Sequence, residues 1–249
     1  MLFLLVPSLV NADMDETELF QEVPSIIGVS KHEQKTIDAP SSISIVTAEE
    51  IKTHGYRNLS DILRSVRGFY VTYDRRYNYL GVRGFGRPGD RNSRVLLLVD
   101  GHRLNDNIFD GAALGNDFPF DVELIDRVEI IRGPSSAVYG TGALLAVINV
   151  VLKRGRHIDG KELSVDVSDS GARRYRGSVG EKQSDGWEYL LSMSSYDSDG
   201  EDLFYPEFNA QTRDTDFEDY KNFMTRISNR SYTLFAAQSS RTKGVPGAP

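Results

Sequence analysis

The 249-residue sequence contains no cysteine. That excludes a disulfide framework, a thiol nucleophile and a thiolate metal site. Histidine is scarce: His32, His54, His102 and His157 stand far apart, with no HExxH or other paired-ligand spacing. They read as surface or structural residues, so no metal site and no cofactor is expected. An excess of positive charge is also missing. The 29 Lys+Arg against 36 Asp+Glu leave a net charge of −7. A nucleic-acid binder would ordinarily be basic, so no nucleic-acid partner is expected. Gly-x-Ser-x-Gly, Walker A and deaminase patterns are absent, and the carboxylates form no recognisable general-acid pair. An enzyme is therefore not expected. The apolar start, Met1–Ala12 (MLFLLVPSLVNA), is too short to cross a bilayer as a helix.

What is present centres on Leu124–Lys153. Arg127–Ile131 alternates polar and β-branched residues, as a half-buried strand does. Gly133-Pro134 ends that strand, because proline fixes φ and removes a donor. Ser135 or Ser136 can cap the short helical turn that follows. Gly140 and Gly142 supply permissive backbone. Val147–Leu152, a β-branched run broken by Asn149, reads as a buried strand. On pattern alone this is equally an ordinary βαβ piece. Upstream, Ser41–Val46 alternates as a strand. Thr47 with Glu50 has capping-box spacing, and Gly55 is placed as a C-cap. Asn58 caps a second helix, in which Leu59, Ile62, Leu63 and Val66 share one face. Phe69–Tyr73 is the next strand. The expected core includes Ile45, Ile62, Leu63, Val66, Val71, Leu96, Leu98, Val128, Ile130 and Ile148.

The wording is more specific than the periodicity. SISIVTAEEI, LSDILRSVRGFYV, LGVRGFG, RVLLLVDGHRL, IRGPSSAVYG and VINVV occur in that order. Together they resemble the plug domain of TonB-dependent outer-membrane receptors, from about Ala39 to about Lys153. The fold expected is a mixed α/β plug domain followed by antiparallel β strands of an incomplete transmembrane β-barrel. The expected division is 1–12, a partial signal peptide; 13–38, an N-terminal arm; 39–154, the plug; and 155–249, the N-terminal part of the barrel. Val10-Asn11-Ala12 reads as the small-residue end of a secretory signal that lacks its basic start. A buried N-terminal strand is the alternative there.

The resemblance implies partners and sites. Before the plug, such receptors carry a TonB box, an extended stretch that a periplasmic energy-transducing protein binds by strand addition. The candidate here is Glu22, Val23, Pro24, Ser25, Ile26, Ile27, Gly28, Val29 and Ser30, with Glu18–Val23 as the rival. The plug arginines Arg83 and Arg132, each before a glycine, would pair with carboxylates of the inner barrel wall. Three plug loops would face outward: Tyr73–Tyr79, Gly86–Asn92 and Asn105–Gly111. Arg75, Tyr77, Tyr79, Arg87 and Phe109 combine positive charge and aromatic area, which suits a large anionic iron chelate. Packing on the plug for the tyrosines, and ion pairs for the arginines, is the other reading of these five.

After Lys153 the period becomes two. Leu163, Val165 and Val167 alternate with polar residues, as do Trp187–Met193 and Phe223–Ile227. Strands are expected near 162–169, 173–182, 187–196, 220–229 and 231–241. Short turns at Gln183–Gly186 and Asn229–Ser231, and a long acidic, aromatic connection from Asp197 to Asp219, fit an outer-membrane barrel with lipid as a further partner. Five strands cannot close one, since closure takes at least about eight. The expectation is thus the N-terminal part of a longer transporter for a scarce ligand. A ferric siderophore comes first, with haem, cobalamin, nickel chelates or oligosaccharides behind it. A soluble periplasmic binding module is the competing class.

Overall fold

Two units make up the chain, residues 1–40 and 41–249. The computed structural model describes residues 25–26, 34–35, 42–87, 89–168 and 171–247. In the first unit, β1 (Ser25–Ile26) pairs antiparallel with β2 (Gln34–Lys35). Of the nine TonB-box candidates, Ser25 and Ile26 are in β1; the other seven lie outside the described residues. So does all of 1–12.

The second unit opens with β3 (Ser42–Thr47), α1 (Ala48–His54) and α2 (Leu59–Ser65). The expected caps form. Thr47 and Glu50 complete a capping box, Gly55 closes α1 in the left-handed region, and the Asn58 side chain accepts from the Asp61 N–H. Leu59, Ile62 and Leu63 on one face of α2 are fully buried. A hairpin follows, β4 (Phe69–Tyr73) with β5 (Asn78–Val82). Gly81 and Gly86 are glycines for a steric reason. The Tyr70 ring lies over both, and a Cβ at Gly81 would come within 2.0 Å of it.

β6 (Val95–Val99), β7 (His102–Arg103), β8 (Ile125–Arg132), α3 (Ser136–Tyr139) and β9 (Ala146–Leu152) complete the domain. Its mixed sheet has the order β3-β8-β9-β6-β7, with β6 and β9 parallel and the other pairs antiparallel. The Leu124–Lys153 block is thus not a βαβ unit. β8 and β9 are antiparallel, and the bonds Gly133 N–H to Leu145 O and Ser135 N–H to Ala143 O prolong their ladder past the strand ends. Ser135 occupies the N-cap of α3 without making a side-chain cap bond. Interior strand β6, between β9 and β7, is buried along its whole length, as a strand covered on both faces should be. The core departs from expectation at β3, where Val46 is buried and Ile45 is half-buried. Val71 is also half-buried, packed against the core cluster.

α4 (Gly155–Ile158) leads into β10 (Gly160–Val167), β11 (Arg173–Lys182), β12 (Glu188–Ser198), β15 (Glu218–Ser228) and β16 (Thr233–Lys243). These five form one antiparallel sheet in sequence order. The hairpin β13 (Leu203–Tyr205) with β14 (Ala210–Thr212) lies in the long β12–β15 connection. The alternation sorts the sheet's faces. Leu163, Val165 and Val167 point away from the first domain and are 89%, 64% and 72% exposed. Arg176, Ser178, Ser192, Ser194, Asn222 and Arg226 are buried on the other face. The link is tight: a Cβ at Gly155 would lie 2.1 Å from the Tyr189 carbonyl oxygen. Arg156 clamps it further with a two-pronged ion pair to Glu188.

Candidate functional site

The three loops expected to face one way are drawn together, and Asn92 is the joint. Its amide donates to the carbonyls of Asn78 (2.8 Å) and Ala112 (3.0 Å), and its oxygen accepts from the Leu80 N–H at 2.8 Å. Arg91 and Asn92 are both in the left-handed region, φ 52° and 62°. Arg75 (φ 71°) and Asp110 (φ 58°) are too. Such non-glycine backbone costs energy and gathers where the surroundings hold a loop in a defined shape.

On this frame the Arg91 guanidinium lies over the Phe109 ring, 4.1 Å from its centre, and 5.7 Å from that of Tyr77. Arg76 covers Tyr77 as well, at 5.0 Å. The Asp106 carboxylate accepts the N–H groups of Ile108, Phe109 and Gly111 and so shapes the third loop. Those backbone bonds, Phe109's foremost, hold it below the usual carboxylate range. Phe109 and Ile108 are 55% and 84% exposed. The result is an exposed cationic and aromatic platform.

The five expected contact residues divide. Tyr77 and Phe109 belong to the platform, and Arg87 is exposed on the second loop. Tyr79 is 8% exposed, and its hydroxyl donates to Asp74 at 2.6 Å. Burial and that bond push its phenol up to about 12. It braces the first loop and offers a ligand little. Arg75 turns to the β12–β15 connection, where it meets Glu201 at 2.9 Å and Asp216 at 3.1 Å. Asp216 also accepts from Lys243 and from the Glu201 N–H. Arg91 was visible in the sequence beside Arg87. Its role was not, because nothing local says that it bridges two loops.

Residues 35–147 match the family described as the TonB-dependent receptor plug domain. Residues 35–147 carry the plug of the TonB-dependent receptors. It is 31% identical over 133 residues to the iron-regulated outer membrane virulence protein of Vibrio cholerae, covering 52% of this chain and 20% of that one. With the hemin receptor of Yersinia enterocolitica it shares 34% identity over 152 residues, 60% of this chain and 20% of the relative. The chain thus spans about a fifth of the length of these relatives. Among solved structures, the ferripyoverdine receptor of Pseudomonas aeruginosa superposes with a TM-score of 0.67 at 18% identity, over 88% of this chain and 27% of the other. The plug and the five barrel strands reproduce that fold, and the protein's place is the outer membrane.

In such a receptor, short turns lie on the periplasmic side and long loops outside. The turns at 183–186 and 229–232 therefore mark the periplasmic end, and the β12–β15 connection the outer end. Arg75 reaches Glu201 and Asp216, and Arg241 of β16 donates to the Arg76 carbonyl, so the first plug loop lies at the same end of the sheet as the β12–β15 connection.

Between plug and strands the charges pair in both senses: the plug's Arg75 meets Glu201 and Asp216, and arginines of the strands meet plug carboxylates. Barrel arginines meet plug carboxylates. Arg176 pairs with Glu123 and stands 3.9 Å from Asp121. Arg174 is 4.0 Å from both Asp121 and Glu123, and Arg226 pairs with Asp100. Burial raises the Asp121 carboxyl although Arg174 lies beside it, and its Oδ2 has no hydrogen-bond partner. The plug's own Arg83 and Arg132 form no ion pair among the described residues. Arg132 donates to the Arg67 carbonyl (2.5 Å) and the Ser44 hydroxyl (2.8 Å). Burial, with Arg83 and Arg67 nearby, lowers its guanidinium pKa.

Proposed function

We propose that this chain supplies the plug and first barrel strands of a transporter that takes up an iron chelate, a ferric siderophore first of all, across the outer membrane. The observation that carries this reading is the platform of Arg91 between Tyr77 and Phe109 at the outer mouth. Aromatic faces and a guanidinium grip a large anionic, partly aromatic ligand by stacking and forked hydrogen bonds. The protein need not touch the iron, because the chelator already surrounds it. The relatives agree in kind: one is named a hemin receptor, and the Pseudomonas structure holds ferripyoverdine. Haem is the second reading for that reason. Tyr77, Arg87, Arg91 and Phe109 are the contacts proposed; Arg75 and Tyr79 hold the site in shape.

The remaining parts follow from the family. The 22–30 segment is the proposed TonB box in an arm spanning 13–38, after a signal segment of 1–12. The plug is 39–154, and the barrel begins at 155. Arg83 and Arg132 are the plug arginines that carboxylates on further barrel strands would meet. Ligand on the platform is read out through the plug, and TonB supplies the energy from the inner membrane.

Equilibrium binding of ferric siderophores and of hemin to the complete receptor tests this reading. Arg91→Ala should weaken chelate binding by about tenfold or more, since one charge-assisted bond alone is worth about 1.5 kcal/mol or more. Unchanged affinity across the chelate panel would move the site to the barrel loops. Hemin alone binding would select the second reading.

A further inference from the structure

Every carboxylate in the three platform loops is already engaged. Asp74 accepts the N–H groups of Arg76 and Tyr77 and the Tyr79 hydroxyl. Asp106 uses both oxygens on the N–H groups of Ile108, Phe109 and Gly111. Asp90 accepts from the Arg94 guanidinium and the Asn92 N–H, and Asp110 pairs with Arg103. Of the loops' four arginines, Arg75 is held by Glu201 and Asp216. Arg76, Arg87 and Arg91 remain. All three are exposed, and none forms an ion pair or a side-chain hydrogen bond among the described residues.

Neighbouring elements give these three no counter-charge either. Arg241 meets Glu218, and Lys243 meets Asp216. Asp199, Asp202, Glu207 and Asp214 of the β12–β15 connection are exposed, and none lies within ion-pair distance of Arg76, Arg87 or Arg91. The chain's net charge is −7, so no long-range pull on anions is expected, and selection falls to contact. There Arg76 and Arg91 share one ring, their guanidinium carbons 5.0 and 5.7 Å from the centre of Tyr77. Two like charges on one ring, neither paired with a carboxylate, present N–H forks to a single ligand. Anionic oxygens set between them would satisfy both forks and relieve their repulsion.

We propose that Arg76 is a specificity residue of this site, and that the ligand it selects is multiply anionic: among ferric siderophores a catecholate or carboxylate complex, not a neutral hydroxamate. Three catecholates around a ferric ion leave the complex triply negative, whereas three hydroxamates cancel the iron's charge. The first can meet Arg76 and Arg91 together. The second would cover two cations without compensating either, which costs desolvation and returns little. Hemin, with its two carboxylates, would be held by the same pair. The proposal rests on the platform being the ligand site.

The test measures equilibrium binding to the complete receptor of ferric enterobactin, a tris-catecholate, and of ferrichrome, a tris-hydroxamate. The wild type should prefer the first by about tenfold or more, since the neutral complex forgoes at least one charge-assisted bond. Arg76→Gln should cut that preference by about tenfold, the ratio that corresponds to about 1.4 kcal/mol. Arg76→Lys, which keeps the charge and loses the fork, should restore part of it. Heat-modifiable migration on gels checks that each variant has an assembled barrel. Where neither siderophore binds, hemin against its dimethyl ester, which masks both carboxylates, reads the same ratio. A wild type without the preference would overturn the proposal. If Arg91→Ala weakens binding while Arg76→Gln leaves the ratio unchanged, the platform stands and the selection by Arg76 falls. If neither substitution changes any affinity, the site itself is misplaced and both readings fall.

Discussion

Replacing Arg176 by methionine isolates the clamp between wall and plug. Its side chain is 5% exposed and reaches Glu123, Glu162 at 3.1 Å and the Ser178 hydroxyl at 2.7 Å, with Asp121 3.9 Å away. Removing one member of a buried pair costs about 3–5 kcal/mol when the other is left uncompensated. The partners here differ in that respect. Glu123 and Glu162 keep 35% and 37% side-chain exposure and can rehydrate, whereas Asp121 keeps 1% and cannot. Arg174 remains 4.0 Å from Asp121 Oδ2. The expected loss is therefore about 2–3 kcal/mol, below the full penalty. Asp121→Asn alone should cost less than about 1 kcal/mol, because Oδ2 has no hydrogen bond to lose and Oδ1 can still cap the Glu123 N–H. With both changes the stranded charge is gone, so about 1–2 kcal/mol of the arginine's loss should return. The assay is urea unfolding of the plug in the complete receptor, followed by amide exchange over Val122–Leu124. Losses additive within about 0.5 kcal/mol would show that Asp121 and Arg176 are not coupled and would refute the reasoning.

Gly155→Val should destabilise the plug–barrel link by about 1–3 kcal/mol, since its Cβ meets two backbone carbonyls, Tyr189 and Glu181 at 2.1 and 2.6 Å; faster amide exchange in α4 is the readout, and unchanged exchange would count against it. Tyr79 has a folded pKa of about 12, above the usual phenol value of 10.0, so its stabilisation is whole below pH 10 and lost as pH rises toward 12. Phenolate absorbance compared between wild type and Tyr79→Phe should show this tyrosine ionising late; ionisation near pH 10 would contradict its burial. Arg75→Ala should leave chelate affinity within about threefold while speeding amide exchange across 199–217, because its partners there are Glu201 and Asp216. A large affinity loss without faster loop exchange would return Arg75 to the ligand.

Local chemistry made much of the fold legible. Thr47–Glu50, Gly55 and Asn58 each act within one helical turn, and all three were readable as caps. The alternation after Lys153 placed β10, β11, β12, β15 and β16 within a few residues, because a lipid face and a polar face leave opposite marks on neighbouring positions. What depends on pairing partners was not readable. Strand β3 shows the same alternation whichever face is inward, so Ile45 was expected where Val46 is buried. The turn after Gly133 looks the same whether β9 returns antiparallel beside β8 or crosses over. The candidate site divides in the same way. Aromatic and arginine content marked the three loops, but the assignment of each arginine required contacts from 126 and 141 residues away for Arg75, and a stacking partner on another loop for Arg91.

The plug's two boundaries differ in kind, and the difference bears on how it could move. Inside, Leu59, Ile62, Val128, Ile130 and Ile148 are fully buried among apolar neighbours. Opening that core exposes hydrocarbon, at about 25 cal/mol per Å². Against the wall, the facing groups are Arg174, Arg176, Arg226, Ser178, Ser192, Ser194 and Asn222, with Asp100, Asp121 and Glu123 opposite. Apolar contact crosses the boundary too: Phe120 lies against Phe235 with ring centres 6.0 Å apart, and Leu190 and Met224 join the buried cluster of the plug. Guanidinium and carboxylate groups that part in the presence of water regain hydration, so their separation costs far less than their attraction in the dry state suggests. Asp121 carries the argument furthest. Burial already disfavours its charge, so water reaching it on separation offsets part of the lost attraction to Arg174. The ion pairs fix where the plug sits and in which orientation. They do not weld it there, and the wall on this side is built to release the plug into water more readily than the plug's core would come apart.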